Sequence, residues 1–316
     1  MKNKVINPDL GGGVMFHHFH GGPHPQTQGS ISADQLEAMI EWLHKNYNLI
    51  GAKEFSFKAN NNEVDYRDLC LTFDDALLCQ LDIALPVITK YNLDVFFFIY
   101  TSPMAGVPDP LEIYRYFRTV FYDDIDTFYR DFFEISQSLH SLSIEEGRKQ
   151  FEEIDYLSAH SYYSENDRWF RYIRDIILTK KQYDDLMTSL MDLMSFDHLS
   201  IHEKLWMTNS DIKNIAEMGH TIGLHSFYHP TKISFLSKSE QHNEYAMNKK
   251  YLESLMGREV TTMSHPCGDY SSDTLDILRD LGIILGFRSN SISLSNRSAL
   301  EFPRANHIEI LKLIEQ

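Results

Sequence analysis

Cysteine is scarce in this 316-residue sequence, which contains only Cys70, Cys79 and Cys267 and no CxxC pair. An odd, widely spaced set of this kind gives no support for a disulfide framework and is typical of reduced thiols in the cytoplasm. The sequence also lacks any run of about 18 apolar residues, the length needed to cross a membrane. The first residues, MKNKVINPDLGGGVMFHHFHGG, contain no continuous apolar segment and no small-residue cleavage site of a signal peptide. We therefore expect a cytoplasmic protein without a membrane span.

Positive charge is also in short supply, because 45 acidic residues outnumber 29 lysines and arginines and give a formal net charge of -16. Nucleic acids and anionic membranes attract basic surfaces, so neither is an expected partner. Apolar residues, in contrast, make up 43% of the chain and include 20 phenylalanines and 17 tyrosines, enough for one large core. The length lies within the range of a single α/β barrel.

Short apolar segments alternate with helical patterns in the two outer parts of the chain. Ser32 and Gln35 have the spacing of a helix capping box, and an apolar stripe follows them at helical spacing. Alternation of this kind predicts a parallel sheet, either open or closed into a barrel. The predicted strands are GVMFHHF, LCLTF, DVFFFIY, HTIGLH, VTTMSHP and IILGF.

Residues 102–205 interrupt this alternation, because they are aromatic, acidic and helical in pattern, with no obvious strand. We interpret them as a helical insertion between a first barrel segment, residues 1–101, and a second, residues 206–316. The insertion is expected to cover the site and to select a small substrate. Its aromatic residues are interpreted mainly as its own core, with stacking on sugar rings as the alternative: Tyr114, Phe117, Trp169 and Phe170.

Polar clusters follow three of the predicted strands, and in parallel α/β folds such strand ends meet at one rim where ligands bind. TFDD supplies Asp74 and Asp75, HSFYHP supplies His225 and His229, and SHPCGDY follows the third strand. Each cluster alone has another explanation: Asp75 could cap a helix, Asp74 could pair with an arginine, and the histidines could be a satisfied core pair. Together they form a two-histidine, one-carboxylate set, the ligand count of a catalytic metal site with open positions.

LTFDDA, HSFYHP and SHPCGDY resemble, in order and in position relative to the strands, the first three motifs of the polysaccharide deacetylase (NodB-homology) family of metal-dependent N-deacetylases. WMTNSDIKNIAEMGHTIGLHSFYHP is similar to the family's helix and strand before the histidine motif, and VMFHHFH to its opening strand. The resemblance covers residues 14–101 and 205–307. It implies a distorted (β/α) barrel with fewer than eight complete units, here carrying a large helical insertion.

Carried over to this sequence, the resemblance implies that Asp75, His225 and His229 hold a divalent metal, with Zn²⁺ as the expected ion. Asp74 would be the general base. This division agrees with the chemistry, because a metal lowers the pKa of its water and polarises an amide carbonyl, while a second carboxylate accepts the water's proton. The backbone N–H of Cys267 would help to stabilise the oxyanion.

The sequence departs from the family pattern in two places. The third family motif often begins with an arginine that orients the base, whereas Ser264 stands here. The last motif, which supplies a histidine as general acid, has only a loose counterpart in FPRANHIEI. His307 is the candidate acid, with a surface histidine as the alternative, and Arg304 is expected to bind substrate or an aspartate.

The sequence positions of the remaining candidate site residues give weaker support for a functional role. His17 could face the site from the end of the first strand and contact substrate, or it could be a core residue. His18, His20 and His24 lie in a loop rich in glycine and proline and are expected at the rim or in solvent. A nucleophilic role for Cys267 is disfavoured, because residues adjacent in sequence rarely form such a constellation.

These features predict a metal-dependent hydrolase that removes an N-acyl group, N-acetyl above all, from a small sugar or nucleotide sugar in surface polysaccharide biosynthesis. One alternative is an amidohydrolase that acts on a ureide or a cyclic imide. A second is a metal-binding homologue without activity, suggested by the missing arginine and the uncertain acid. The presence of Asp74 favours an enzyme, because metal binding alone does not require it.

Overall fold

The computed structural model describes residues 11–158, 163–198, 200–292, 294 and 297–315. Every residue assigned above to the site lies within these ranges. Residues 1–10 of the predicted first barrel segment lie outside them. No helix among the described residues is long and apolar enough to span a membrane.

Eight strands form one sheet in which the described pairings are all parallel. The strands are β1 (Gly12–Phe16), β2 (Asn48–Leu49), β3 (Asp68–Asp74), β4 (Phe96–Ile99), β5 (Thr221–Leu224), β6 (Thr262–Ser264), β7 (Leu285–Phe287) and β8 (Arg304–Asn306). Their order is β7-β6-β5-β4-β3-β1-β8, with β2 beside β3. A parallel bridge between Phe287 and Phe302 joins β7 to the residues just before β8, so the barrel is nearly closed. The predicted fold class, a distorted (β/α) barrel with a helical insertion, is confirmed.

In the described parts of the chain, twelve α-helices accompany the sheet: α1 (Ala33–Asn46), α2 (Ala52–Asn60), α3 (Leu85–Lys90), α4 (Pro110–Val120), α5 (Ile125–Glu152), α6 (Glu165–Tyr172), α7 (Lys180–Leu193), α8 (His202–Leu205), α9 (Asn209–Glu217), α10 (Lys238–Met256), α11 (Ser272–Asp280) and α12 (His307–Ile314). Two π-helical segments, Gln80–Ala84 and Ile173–Ile177, precede α3 and follow α6. Two 3-10 turns, Ile233–Phe235 and Pro266–Gly268, lie between β5 and α11.

The structure contains the helix start and stop features that the sequence predicts for α1 and α10. Ser32 and Gln35 form a capping box at the start of α1, whose apolar stripe is buried. Gly257 ends α10 in a left-handed conformation that a residue without a Cβ adopts at little cost. The segment after Asp75 contains a π-helical turn, Gln80–Ala84, and continues as α3. No sequence pattern predicted α2 or β8, and β8 contains only three residues.

The chain divides into two compact units, which we call the barrel unit (1–109 and 203–316) and the helical unit (110–202). The core of the barrel unit contains a cluster of phenylalanines from the sheet and α2: Phe55, Phe96, Phe98, Phe287 and Phe302. The helical unit has its own aromatic core, which buries the four aromatic residues singled out in the sequence. Its bounds lie inside the predicted 102–205, because Ser102 already belongs to the barrel unit and donates its amide hydrogen to the carbonyl of Phe227.

Candidate metal and catalytic site

Asp75, His225 and His229 meet at the carboxyl ends of β3 and β5, where their potential ligand atoms all lie within 4.8 Å of one another. The Nε2 atoms of His225 and His229 are 3.4 and 3.5 Å from Oδ1 of Asp75. That oxygen is buried and has no hydrogen-bond donor among the described residues, although both imidazoles face it. Two imidazole nitrogens and one carboxylate oxygen are the donor set of a catalytic zinc site with open coordination positions. The residues therefore fit a divalent ion.

The backbone turns sharply at both halves of this cluster. Asp75 and Ala76 have φ of 80° and 53°, and Ser226 and His229 have φ of 63° and 55°. Left-handed backbone at residues with a Cβ costs roughly 1–3 kcal/mol each and tends to occur at functional sites. Because Ala76 is left-handed, no helix begins there, and the alternative in which Asp75 caps a helix is wrong.

Asp74 lies beside the cluster and forms a bidentate ion pair with Arg304 from β8. Nη1 and Nη2 of Arg304 donate to Oδ1 and Oδ2 of Asp74 at 2.8 and 2.7 Å, and both side chains are almost fully buried. Arg304 also donates to the carbonyl of Arg288 and to Thr72 Oγ1. Burial alone would raise the pKa of Asp74, but the charge of Arg304 lowers it below its usual value. Of the two partners expected for Arg304, the structure shows the aspartate, and its buried guanidinium does not line a substrate surface.

Ser264 stands where the family motif often has an arginine, and it links Asp74 to His225. Nδ1–H of His225 donates to Ser264, whose carbonyl oxygen and hydroxyl oxygen lie 2.9 and 2.7 Å away. The Ser264 hydroxyl then donates to Oδ1 of Asp74 at 3.3 Å. These bonds direct Nε2 of His225 toward Asp75. Burial lowers the pKa of His225, but the carboxylates of Asp74 and Asp75 outweigh it and raise that pKa.

Gln80, in the first π-helical segment, joins the ends of β1 and β3. Its Nε2 donates to the carbonyls of Asp74 and His17 at 2.6 and 2.9 Å, and its side chain is fully buried. π-helical turns often occur at functional sites. Sequence reasoning missed Gln80, because the π turn moves it off the helical spacing by which buried residues are recognised.

His17 faces both aspartates from the end of β1. Its Nε2 is 3.8 Å from Oδ2 of Asp74 and 3.9 Å from Oδ2 of Asp75, and its side chain is 29% exposed. Burial lowers the pKa of His17 to about 4, against the opposing pull of the two carboxylates. His17 lies on a part of the site that solvent reaches, so the structure brings this predicted residue to the site.

Comparison with known proteins agrees with this geometry. The family model described as polysaccharide deacetylase matches residues 197–285, which include β5, both histidines and Ser264. The protein YxkH of Bacillus subtilis, whose name assigns it provisionally to the polysaccharide deacetylases, is 29% identical over 87 residues. That alignment covers 28% of this chain and spans about a third (31%) of the length of YxkH.

Solved structures match over nearly the whole chain. IcaB from Ammonifex degensii has a TM-score of 0.58 at 13% identity and covers 98% of this chain and 99% of its own. The Streptococcus pyogenes deacetylase PplD, solved with acetate, has a TM-score of 0.54 at 16% identity and covers 98% and 100%. A de-N-acetylase from Aggregatibacter actinomycetemcomitans has a TM-score of 0.55 at 12% identity and covers 97% and 100%. At these identities the matches establish the fold.

The resemblance to the polysaccharide deacetylase family is confirmed. Within this polysaccharide deacetylase-like barrel, α10 anchors the segment that carries His225 and His229. Oε2 of Glu244 accepts the amide hydrogens of Phe227 and Tyr228 at 3.0 and 2.8 Å, and Oδ1 of Asn248 accepts that of His225 at 3.1 Å. Glu244 and Asn248 are four residues apart and lie on one face of the helix. The sequence offered no signal for them, because α10 reads as an ordinary capped helix.

His307 occupies a different environment from the one predicted for a general acid. Its ring nitrogens lie 3.2 and 2.8 Å from the carbonyl oxygens of Met15 and Gly29, and the ring stacks on Phe16. The side chain is 5% exposed, so His307 is not a surface histidine. Both nitrogens are engaged with the backbone and connect α12 to β1 and to the loop that contains Gly29.

Cys267 lies exposed at the tip of the loop after β6, with a left-handed φ of 52°. Asp269 holds this loop, because its carboxylate accepts hydrogen bonds from the amide and hydroxyl of Ser234 at 2.7 and 3.0 Å. The loop histidines His18, His20 and His24 are half-buried. His20 bonds Ser30 at 2.9 Å and His24 bonds Asp82 at 2.7 Å.

Proposed function

We propose that this chain is a metal-dependent hydrolase that removes an N-acyl group, most simply N-acetyl, from an amino sugar. The observation that carries the proposal is the juxtaposition of two different carboxylates. Asp75 shares its space with His225 and His229, whereas Asp74 is 2.7–2.8 Å from the guanidinium of Arg304. A cluster that only binds metal has no need of a second buried carboxylate with its own cation.

The ion that Asp75, His225 and His229 would hold, with Zn²⁺ as the proposed species, supplies Lewis acidity to the amide carbonyl and acidity to a water molecule. Asp74 is the general base that accepts the proton of the attacking water. Arg304 keeps Asp74 ionised and fixes the direction of its carboxylate oxygens. Ser264 bonds both Asp74 and the imidazole of His225, and so holds the two side chains beside each other. The N–H of Cys267 is the proposed donor to the developing oxyanion.

Cleavage of the carbon–nitrogen bond requires a proton on the leaving nitrogen, because an amine anion is too basic to depart. Asp74 has just received a proton and can return it to that nitrogen. His17 is the second candidate, since its Nε2 lies 3.8 Å from Asp74 and the ring is partly exposed. The geometry of His307, held by two carbonyls, makes it the weakest of the three.

The finer assignment is a sugar or nucleotide sugar as substrate, in surface polysaccharide biosynthesis, with the helical unit as the element that selects it. The deacetylase names of the family model and of the matched structures support this choice of substrate class. The bidentate pair of Arg304 and Asp74 argues against an inactive homologue, because it supplies the orienting arginine that the sequence seemed to lack.

The test is release of acetate from N-acetylated amino sugars by the purified, metal-loaded protein. N-acetylglucosamine, its oligomers and its nucleotide-linked form are offered in parallel, with a ureide and a cyclic imide as competing substrates. We expect acetate release that disappears in Asp74→Asn and persists in Asp82→Asn, an aspartate that pairs with His24 outside the cluster. Hydrolysis of the ureide or imide alone would contradict the proposal, as would equal activity of the Asp74 variant and wild type.

A further inference from the structure

Two arginines of the helical unit, Arg118 on α4 and Arg171 on α6, have no acidic partner among the residues that the structure describes. Their guanidinium carbons lie over aromatic rings instead, 5.5 Å from the centre of Phe170 and 4.1 Å from the centre of Tyr163. Nε of Arg171 is buried and makes no hydrogen bond within the described part of the chain. Both residues are half-buried, so each keeps some contact with solvent.

Three other arginines of the same unit are paired with carboxylates. Arg130 pairs with Asp131 at 3.0 Å, Arg148 with Glu152 and Glu165 at 2.9 and 2.8 Å, and Arg174 with Asp175 at 2.6 Å. The chain as a whole carries 45 acidic residues, so scarcity of carboxylates does not explain the difference. Arg118 and Arg171 interact electrostatically with the Tyr129 hydroxyl. That hydroxyl donates to the buried carboxylate of Asp167, which also accepts hydrogen bonds from Ser164.

The cationic groups also repel one another. Burial lowers the pKa of Arg118 below its usual value, and the positive charges of Arg115 and Arg171 lower it further. Half-buried like charges without a counterion are unfavourable, and a doubly charged oxyanion would neutralise two of them at once. The planar guanidinium fork matches the geometry of phosphate oxygens in particular. A single carboxylate would leave one of the two charges uncompensated.

We propose that Arg118 and Arg171 form a binding site for the phosphoryl group of a ligand such as a sugar phosphate or a nucleotide sugar. The site lies within the helical unit and does not depend on the chemistry proposed for the barrel unit. A ligand of this class would occupy the open side of both guanidiniums, while the rings of Phe170 and Tyr163 support the opposite faces.

The test uses the whole chain after treatment with EDTA, because a metal ion in the barrel unit would itself bind phosphate. Inorganic phosphate is titrated at constant ionic strength and compared with chloride, by calorimetry and by the melting temperature. We expect saturable binding by wild type and at least tenfold weaker binding by Arg118→Met and Arg171→Met. Arg174→Met is the matched control, because Arg174 also lies over Phe170 but is paired with Asp175. Equal responses to phosphate and chloride, or unchanged affinity in both variants, would overturn the proposal.

A purely structural role for Arg118 is distinguished by stability without phosphate. Methionine keeps an apolar contact with Phe170 and removes a repelling charge, so the melting temperature of Arg118→Met should equal or exceed that of wild type. A large fall together with wild-type phosphate affinity would make Arg118 a packing residue and reject the site. If the methionine variant does not fold, Arg118→Lys retains the charge without the fork and should weaken phosphate binding. Glucose 1-phosphate should bind where free glucose does not; binding of inorganic phosphate alone would reject the ligand class.

Discussion

The barrel unit and the helical unit differ in whether their buried charged side chains have partners of opposite charge or hydrogen-bonding partners within the chain. At the barrel rim each carboxylate faces groups that the chain itself provides: the guanidinium of Arg304 for Asp74, and two imidazoles for Asp75. In the helical unit Arg118 and Arg171 lie over aromatic rings without an acidic partner among the described residues. A reaction centre must be organised before its substrate arrives, so its ionic partners belong to the fold. A binding site can leave charge for its ligand to compensate, which is what we infer for the helical unit.

The two units also differ in what fixes their side chains. At the rim, strand ends and hydrogen bonds to the backbone position the groups, as Gln80 and Asn248 do. In the helical unit, packed aromatic rings such as Phe128, Phe132 and Phe170 position the helices. Directional bonds tolerate little displacement, whereas ring packing tolerates more. Substitutions should therefore act more sharply on function at the rim than in the helical unit.

The largest expected effect is the loss of the metal site. His225→Ala combined with His229→Ala should abolish stoichiometric bound metal, because one carboxylate seldom holds a catalytic ion. Elemental analysis of the purified protein measures this, with His24→Ala as a control, since His24 pairs with Asp82 outside the cluster. About one metal ion per chain in the double variant would show that the ion is held elsewhere.

Substitutions in the ion pair of Asp74 and Arg304 separate an effect on catalysis from an effect on stability. Asp74→Asn should keep its metal and lose turnover by a factor on the order of 10² or more, as expected for a general base. Arg304→Met should destabilise the fold by about 3–5 kcal/mol, because it leaves a buried carboxylate unpaired.

Denaturant unfolding and metal analysis separate these outcomes. The double variant Asp74→Asn with Arg304→Met should recover much of the stability lost in Arg304→Met, since no charge then remains unpaired. Additive losses in the double variant would mean that the two side chains do not act as a pair.

Loss of the hydrogen bonds that anchor the segment with His225 and His229 to α10 should have an intermediate effect on metal binding. Glu244→Ala removes the acceptor of the Phe227 and Tyr228 amides and should weaken metal binding by roughly 10- to 100-fold, the range for residues that support metal ligands. Glu244→Gln keeps an acceptor oxygen and should bind metal nearly as well as wild type. A metal titration by calorimetry compares the two, and equal weakening in both would point to the charge of Glu244 rather than its hydrogen bonds.

Replacement of His17 and of His307 by alanine should have different effects on kcat and on stability. His17→Ala should lower kcat with little change in stability, because the ring faces the aspartates and is partly exposed. His307→Ala should cost about 1–3 kcal/mol of stability, the penalty for losing buried hydrogen-bond partners, and leave kcat close to wild type. A His307 variant with normal stability and a changed pH–rate profile would restore its assignment as general acid.

The smallest effect on metal content should follow removal of the helical unit. Replacing residues 110–202 with a short linker should leave a folded barrel that binds metal, because the sheet and its phenylalanine core belong to the barrel unit. Substrate turnover should fall, since the helical unit is the proposed selecting element. Circular dichroism and metal analysis of this variant decide the question, and aggregation would instead make the helical unit part of the barrel's stability.

Much of the rim could be predicted because it depends on local patterns. Apolar strands ending in polar residues, together with the capping boxes of α1 and α9, place Asp75, His225 and His229 at the same edge of a parallel sheet. Arg304 could be foreseen only as a candidate with two possible partners. Gln80, Glu244 and Asn248 could not be foreseen at all, because each acts on backbone groups that are distant in sequence.

The sequence by itself determined which residue types end each strand, and strand periodicity with the shared edge of a parallel sheet was sufficient to group the aspartates with the histidines. Only the tertiary structure decided how the two aspartates differ. Near closure of the barrel brings β8 next to β1, so a side chain 230 residues away from Asp74 supplies the arginine that is missing at Ser264. The same packing turns His307 toward the carbonyls of Met15 and Gly29. Side-chain contacts of this kind depend on how the sheet closes, which no local pattern encodes.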